Sequence, residues 1–334
     1  LPAGDRSVAW DADTGWILSA PFDEDGLLLT AFSLDDGSAS TTELVDGVKP
    51  SSDVGLTLDK AGDLWVTLAT RVLRITPHEG AVRPWDLPPP PSDAAPSDED
   101  VAAGYALAAA WEPQADVLLF LRSGDHRLYA FDPKTGGVTT LADLPMSTSY
   151  VSDLVVGPDG TIAVTGSRIG PNGLEWDVVV LENGGSIRET RPGIGNVCAG
   201  SSSMAVLGVD GTVSVLNGSA PLTQVAGGHP YSTAFACDAD DNIFHGAIGG
   251  AELAITRISP TGDRSTEVLP LVETDANLER LGVSPSGPIP LGPGLEAIIP
   301  DQSGGAWVVT SSGTQRSQGD LLLYPSASHI ELSD

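Results

Sequence analysis

Five histidines and two cysteines are the side chains best suited to metal or nucleophile chemistry here: His78, His126, His229, His245, His329, Cys198 and Cys237. Their spacing rules out most of it. No two histidines stand as His-x-x-x-His and no Cys–His zinc spacing occurs, so the chain carries no local zinc motif. Asp238-Ala-Asp-Asp-Asn242 begins like a calcium loop. However, Ile243 stands where that loop needs glycine, and Gly249 where it needs a bidentate glutamate. It reads as a turn, as does Asp23-Glu-Asp-Gly26. The sequence contains neither a Gly-x-Ser-x-Gly elbow nor a phosphate-binding loop. Asn217-Gly-Ser219 has the form of a glycosylation acceptor and reads as a tight turn. Cys198 and Cys237 each lie four residues before the turn of their own repeat unit. A disulfide between neighbouring units is favoured, with two small buried thiols as the alternative.

The units that would position these groups are the clearest signal in the chain. One phrase recurs: an apolar run, an Asp/Gly turn, and a second apolar run. It is sharpest at Val54–Asp59, Lys60–Asp63, Leu64–Leu68, and again at Leu154–Gly160 followed by Thr161–Val164. The turns fall near residues 15, 62, 115, 160, 202, 241 and 304, a mean spacing of about 48. Alternation and turn chemistry divide each unit into four short strands, A to D. The last unit, for example, reads as Leu295–Ile299, Ala306–Thr310, Leu321–Tyr324 and His329–Leu332. A short-strand unit cannot bury its own faces and must stack on its neighbours. The expected fold is therefore an all-β, seven-bladed β-propeller of four-stranded antiparallel blades, formed by residues 1–334 as a single domain. Six or eight blades are the lesser alternatives.

In such a ring, A–B and C–D turns open on one face, while B–C hairpins and D–A crossovers open on the other. The C–D turns are tight, as at Asp35-Asp-Gly37, Lys134-Thr-Gly136 and Pro260-Thr-Gly262. The long insertions at Leu87–Ala103, Arg168–Glu175, Gly246–Gly250, Pro270–Gly294 and Ser311–Asp320 all map to the opposite face. Elaborated connections on a rigid scaffold are where binding concentrates. The ligand candidates on that face are Arg122, His126, Tyr150, Arg168, Trp176, His229 and Tyr231. Scarce cations in an acidic chain suit ion pairing or an anionic ligand, and Trp176 and Tyr231 offer stacking surface. No catalytic residue is assigned.

Leu56–Pro84, with Asp59-Lys-Ala-Gly-Asp-Leu-Trp-Val66 and Val72-Leu-Arg-Ile-Thr-Pro77, resembles a blade of the NHL, streptogramin-lyase and gluconolactonase-like propellers. Pro158-Asp-Gly-Thr-Ile162 and Ile255–Asp263 are similar to the same blade. The resemblance spans the repeat grammar of most of the chain and implies the fold. It also implies an alternative activity, since lyases of this group hold Mg²⁺ with a histidine and carboxylates, and the lactonases hold a channel metal with Glu, Asn and Asp. The repeat grammar assigns none of those ligands to a position here.

Sixteen Lys and Arg stand against 45 Asp and Glu, for a net charge of −29. That field repels phosphate backbones and anionic lipid, which disfavours nucleic-acid and membrane-surface roles. No stretch approaches the length of a membrane span. Only three cations are lysines (Lys49, Lys60 and Lys134), a bias expected of a high-GC actinobacterial genome. The chain opens at Leu1-Pro-Ala-Gly4 without methionine, as expected of a mature secreted or otherwise trimmed chain. The sequence thus points to an extracytoplasmic, surface-associated module binding a protein, glycan or small ligand without catalysis and without a cofactor. The alternative is a hydrolase or lyase with a divalent cation, Ca or Mg, at the mouth of the central channel.

Overall fold

The computed structural model describes residues 5–20, 27–45, 55–68, 70–77, 79–89, 106–122, 126–145, 151–170, 173–216, 223–227, 232–249, 252–270, 290–301, 304–315, 321–330 and 332. Among them every regular element is a strand. Blade one is β1 (Asp5–Trp10), β2 (Thr14–Ala20), β3 (Leu27–Ser33) and β4 (Ala39–Val45). Blade two is β5 (Gly55–Leu58), β6 (Leu64–Thr67), β7 (Arg71–Thr76) and β8 (Ala81–Asp86). Blade three is β9 (Ala106–Glu112), β10 (Val117–Arg122), β11 (Arg127–Asp132) and β12 (Gly137–Asp143). Blade four is β13 (Val151–Val156), β14 (Ile162–Gly170), β15 (Gly173–Leu181) and β16 (Ile187–Pro192). Blade five is β17 (Ile194–Ala199), β18 (Met204–Gly208), β19 (Thr212–Leu216) and β20 (Thr223–Gly227). Blade six is β21 (Ser232–Cys237), β22 (Ile243–Gly249), β23 (Glu252–Ile258) and β24 (Arg264–Pro270). The last unit is β25 (Pro290–Pro300), β26 (Ala306–Gln315) and β27 (Leu321–Ile330).

Each sheet is an antiparallel meander in sequence order, six with four strands and the last with three. The all-β propeller of four-stranded blades is therefore the observed architecture for six units. The last departs from the sequence reading, because its third and fourth expected strands are one continuous strand, β27. Pro325, in the gap expected between them, pairs opposite Ser311 within the ladder. Among the described residues β27 is the edge strand of its sheet, and an edge tolerates a residue with no N–H to donate. Parts of three expected loops also prove regular: residues 168–170 pair with 173–175, residues 246–249 continue the β22–β23 ladder, and residues 311–315 continue the β26–β27 ladder.

Burial explains the strand order. The second strand of a blade lies between two neighbouring blades and is apolar on both faces, as in β6 and β18, where every residue is buried. Outer strands such as β8 and β16 face water and carry Arg, Glu and Pro. Apolar clusters fill each gap in turn. Trp16 and Leu29 meet Leu56 and Val66, and Trp65 and Val72 meet Trp111 and Phe131. Leu119 and Leu121 meet Leu154 and Val164, and Ala163 and Val178 meet Val197 and Met204. Leu207 and Val213 meet Ile243 and Ile258, and Phe244 and Ile255 meet Ile298 and Val308.

The remaining gap joins the last sheet to the first. Ala297 and Ile299 pack on Ile17, Phe32 and Leu34, with Trp307 against them. The Trp307 indole N–H donates to the Leu34 carbonyl at 2.8 Å, and its ring meets Phe32 edge-on with centroids 5.8 Å apart. Gly37, at φ 71°, lies directly under that ring, where a Cβ would come within 2.4 Å of Cη2. Among the described residues no sheet mixes strands from the two ends of the chain, and the contact seen across this seam is side-chain packing. Trp307→Ala is expected to cost about 3 kcal/mol in urea unfolding, the usual loss for truncating a packed tryptophan. Trp307→Phe should recover part of the packing but not the hydrogen bond.

Candidate functional site

The inner strands β1, β5, β9, β13, β17, β21 and β25 surround a central cavity of about 600 Å³. Its geometry follows from side-chain size. Near the hairpin face, one residue per unit forms a layer: Ser7, Gly55, Ala108, Asp153, Asn196, Ala234 and Ala297. Five of these are Ser, Gly or Ala, so the mouth stays open. Asp153 and Asn196 are the polar exceptions, and they hold each other. Asp153 Oδ2 accepts from Asn196 Nδ2 at 3.3 Å and from the Val197 amide at 3.1 Å, while Thr165 Oγ1 accepts from the Asp153 amide at 3.0 Å. This pair stitches blade four to blade five. The inner strands of blades three to six and of the last unit carry register shifts against their second strands toward this end. Bulges at a rim re-aim side chains and end pairing. Among the described residues, no three His, Cys, Asp or Glu side chains converge to hold a metal ion.

The A–B face is built differently, from a repeated carboxylate. The residue following the inner strand caps its own turn. Asp11 accepts from the amides of Asp13 and Thr14 at 2.9 and 2.8 Å, and Asp59 from those of Ala61 and Asp63 at 2.8 and 3.1 Å. Asp238 accepts from the amides of Asp240 and Asn242 at 2.9 and 2.8 Å, and Asp301 from Gly305 at 3.0 Å. Glu112 plays the part in blade three, taking the Gln114 and Ala115 amides. Side-chain oxygens in such Asx turns replace the backbone acceptor that the chain reversal removes. Three of these caps, with Asp240, Trp10 and Pro300, border a cleft of about 490 Å³ between blade six, the last sheet and blade one.

Blade five lacks its own cap because Gly200 occupies that place. Asp241 of blade six reaches across instead, accepting from the Ser202 and Ser203 amides at 3.0 and 3.2 Å and from Ser202 Oγ at 2.5 Å. Only glycine fits opposite it, since a Cβ on Gly200 would lie 2.4 Å from Asp241 Oδ1. Burial raises the Asp241 pKa, but the hydrogen bonds from Ser201, Ser202 and Ser203 outweigh it and hold the carboxyl below its usual range. Asp241 itself adopts φ 62°, a left-handed conformation that Asp tolerates better than most residues. The same two blades are joined by the Cys198–Cys237 disulfide, with Cα atoms 5.5 Å apart, between β17 and β21.

Of the sequence-derived candidates, Arg122, His126 and Trp176 have described side chains. Arg122 is 2% exposed. Its Nη1 donates to the Pro88 carbonyl at 2.8 Å, and its guanidinium lies over Phe120 and Tyr129, 5.5 and 5.2 Å from the ring centroids. It braces the connection leaving blade two from beneath rather than presenting its head to solvent. His126 is exposed on the rim of blade three, with Nε2 3.9 Å from Asp143 Oδ1, where Arg127 also pairs at 3.2 Å. Arg168 and Trp176 share the blade-four hairpin, Arg168 opposite Glu175 and Ser167 opposite Trp176. Trp176 is half-buried, and its carbonyl accepts the Gly193 amide at 2.7 Å. Tyr150, His229 and Tyr231 lie outside the described residues. The Asp153–Asn196 pair and the Asp241 cap were missed. Their only sequence signals were polar residues in otherwise apolar inner strands and a Gly in place of the capping Asp.

No family model matches this chain, and no curated protein matches it. Solved structures do. A chain of a mitotic checkpoint complex superposes with TM-score 0.59 at 14% identity, over 96% of this chain and 87% of its own. The Swd1 β-propeller domain from Myceliophteria thermophila gives 0.58 at 11%, over 98% and 97%. The β-propeller domain of the Trilobed protease from Pyrococcus furiosus, described as having an open velcro topology, gives 0.52 at 9%, over 99% and 96%. At these identities the similarity establishes the propeller fold alone.

One electrostatic contact on the A–B face has a direct acid readout. Two of the chain's three lysines converge on Asp116, Lys60 Nζ at 2.8 Å and Lys134 Nζ at 2.9 Å. Hydrogen bonds from Lys60 and then Lys134 lower its pKa from 3.8 to about 2. Since the folded-state pKa is depressed, this clamp contributes its full share above pH 3.8 and loses it as pH falls toward 2. In a carboxyl-carbon NMR titration, Asp116 should titrate near 2, and Lys60→Met should move it up toward 3.8.

Proposed function

We propose that this protein is an extracytoplasmic binding propeller that engages a protein, glycan or small ligand through its hairpin face and performs no chemistry. In this reading the three-stranded sheet is the seventh blade of the ring. The kinship suggested by its blade sequences, with NHL and gluconolactonase-like propellers, belongs to the same proposal.

The observation that carries it is the asymmetry of the two faces. Among the described residues, the A–B turns of blades one, two, three and six and of the last unit carry a carboxylate cap from their own sheet, and blade five takes its cap from Asp241. On the other face, the β14–β15 ladder runs on to Gly170–Gly173, the β22–β23 ladder to Gly249–Glu252 and the β26–β27 ladder to Gln315–Leu321. Blade two, by contrast, stops at Thr67–Val72, and blade five turns at once after Leu207–Val213. The hairpins of blades four and six therefore flank a low blade five. There Val209 is 52% exposed and its amide is held by the Gly193 carbonyl at 2.8 Å. Paired hairpins are preordered, which lowers the entropic cost of forming a complex. Trp176 on the blade-four hairpin and His126 on the rim of blade three contribute side chains to this surface, with Arg122 supporting it from below; the sequence offers Arg168, Tyr150, His229 and Tyr231 as further candidates.

The net charge of −29 argues against nucleic acid and anionic lipid as partners. The interblade disulfide supports an oxidising compartment. Occurrence of a similar propeller within a mitotic checkpoint complex fits use of the fold for assembly.

A photo-crosslinking residue placed at Val209 is expected to capture a partner in the native host, whereas one at Ala61 on the opposite face is not. Replacing residues 168–175 by an Asn-Gly turn should abolish the adduct at Val209. Equal capture at both faces, or capture that survives hairpin removal, would overturn the proposal.

A further inference from the structure

The seam between blades five and six differs from the others in two respects at once. It carries the Cys198–Cys237 disulfide, and it carries a turn cap supplied in trans. The two lie close in the chain. Cys198 is two residues before Gly200, and Cys237 is four residues before Asp241. We propose that the disulfide is a redox-sensitive latch which, by fixing β17 against β21, decides whether Asp241 can hold the A–B turn of blade five.

The argument is geometric. Bonded sulfurs sit about 2 Å apart, whereas two thiols in van der Waals contact need roughly 3.5 Å or more. Both cysteines are 7% exposed and packed among Ala205, Leu207, Val213 and Ile243, which restricts their movement on the blade side. Reduction therefore pushes the two strands apart. Asp241 reaches the Ser202 and Ser203 amides at 3.0 and 3.2 Å. A hydrogen bond of that length does not survive being stretched past about 3.5 Å. A shift of that size releases both amides at once. Among the described residues the other turns are capped from within their own sheets, by Asp11, Asp59, Glu112, Asp238 and Asp301, and by Asp159 on the Thr161 amide in blade four.

Both cysteines line the central cavity, which gives a small dithiol a route to the bond. Its thiolate attacks one cysteine sulfur, forming a mixed disulfide and expelling the other cysteine as thiolate. The second thiol of the reductant then displaces the remaining cysteine and closes the reductant's own disulfide. Two electrons pass to the cysteine pair, and each cysteine thiolate takes up a proton.

The test is amide hydrogen exchange on the full chain, oxidised and then reduced with dithiothreitol. The Ser202 and Ser203 amides should exchange about tenfold faster after reduction, while Ala61 and Asp63, capped by Asp59, should not change. Asp241→Gly removes the cap without backbone strain, since glycine is comfortable at φ 62°. That variant, oxidised, should show the same acceleration, and reduction should add nothing further at those two amides. Unchanged exchange in the reduced wild type would overturn the latch. So would acceleration spread over every blade, which would make the bond a staple for the whole ring. An Asp241→Gly protein that still responds to reduction at Ser202 and Ser203 would also refute it.

Discussion

A blade of this molecule has two apolar faces and covers neither by itself. β6 is buried along its whole length only because Leu64 and Val66 meet blade one while Trp65 meets blade three. Each buried aliphatic or aromatic side chain contributes about 1.5–3 kcal/mol, so most of the stabilisation lies between sheets rather than within them. Removing one unit would expose two such faces. A propeller therefore has no stable partial form comparable to a truncated solenoid, and the contact joining its first and last sheets carries unusual weight. Here that contact rests on Trp307, Phe32 and the Leu34 carbonyl, with no strand shared across it among the described residues.

Ring closure also explains a part of the composition that looks functional at first sight. A chain with 45 acidic residues invites a search for cation sites. Many of those on the A–B face are accounted for by turn capping, because every blade reverses direction once at the same height and a carboxylate is an efficient acceptor for the amides left open. Asp238 illustrates the point. Its sequence context resembles a calcium loop, yet its Oδ1 takes the Asp240 and Asn242 amides and its Oδ2 the Asn242 side chain at 2.7 Å. Its charge serves the turn.

The repeat was legible in the sequence because turn chemistry is local. Asp59–Asp63 and Pro158–Gly160 announce a chain reversal through residues that are contiguous. The strands of the first six units fell close to their expected places for that reason. What was not legible depends on residues brought together by the ring. Nothing near Asp241 indicates that its carboxylate serves Ser202 and Ser203, thirty-nine and thirty-eight residues away. Arg122 was read as surface because cations usually are; only the folded chain shows Pro88 and two aromatic rings enclosing it. The gap expected between Tyr324 and His329 contains Pro325, yet the strand runs through it. A proline signals a break only where the strand has partners on both sides, and edge position is a property of the sheet rather than of the residue.

The two faces then divide the work according to how strongly each is constrained. On the A–B side, a change in turn length would strand the amides that the capping carboxylates hold, so that face stays short and uniform. The B–C hairpins face no such requirement. Their lengthening costs nothing in ladder hydrogen bonds, because each added pair of residues satisfies its own backbone, as along β14 and β15 from Gly166–Asp177 to Gly170–Gly173. Extension by pairing also keeps the added surface ordered, where an unstructured insertion of equal length would have to be immobilised at each encounter. A fold that fixes one rim and lets the other grow by whole strand pairs can therefore acquire a recognition surface without disturbing the contacts that close the ring.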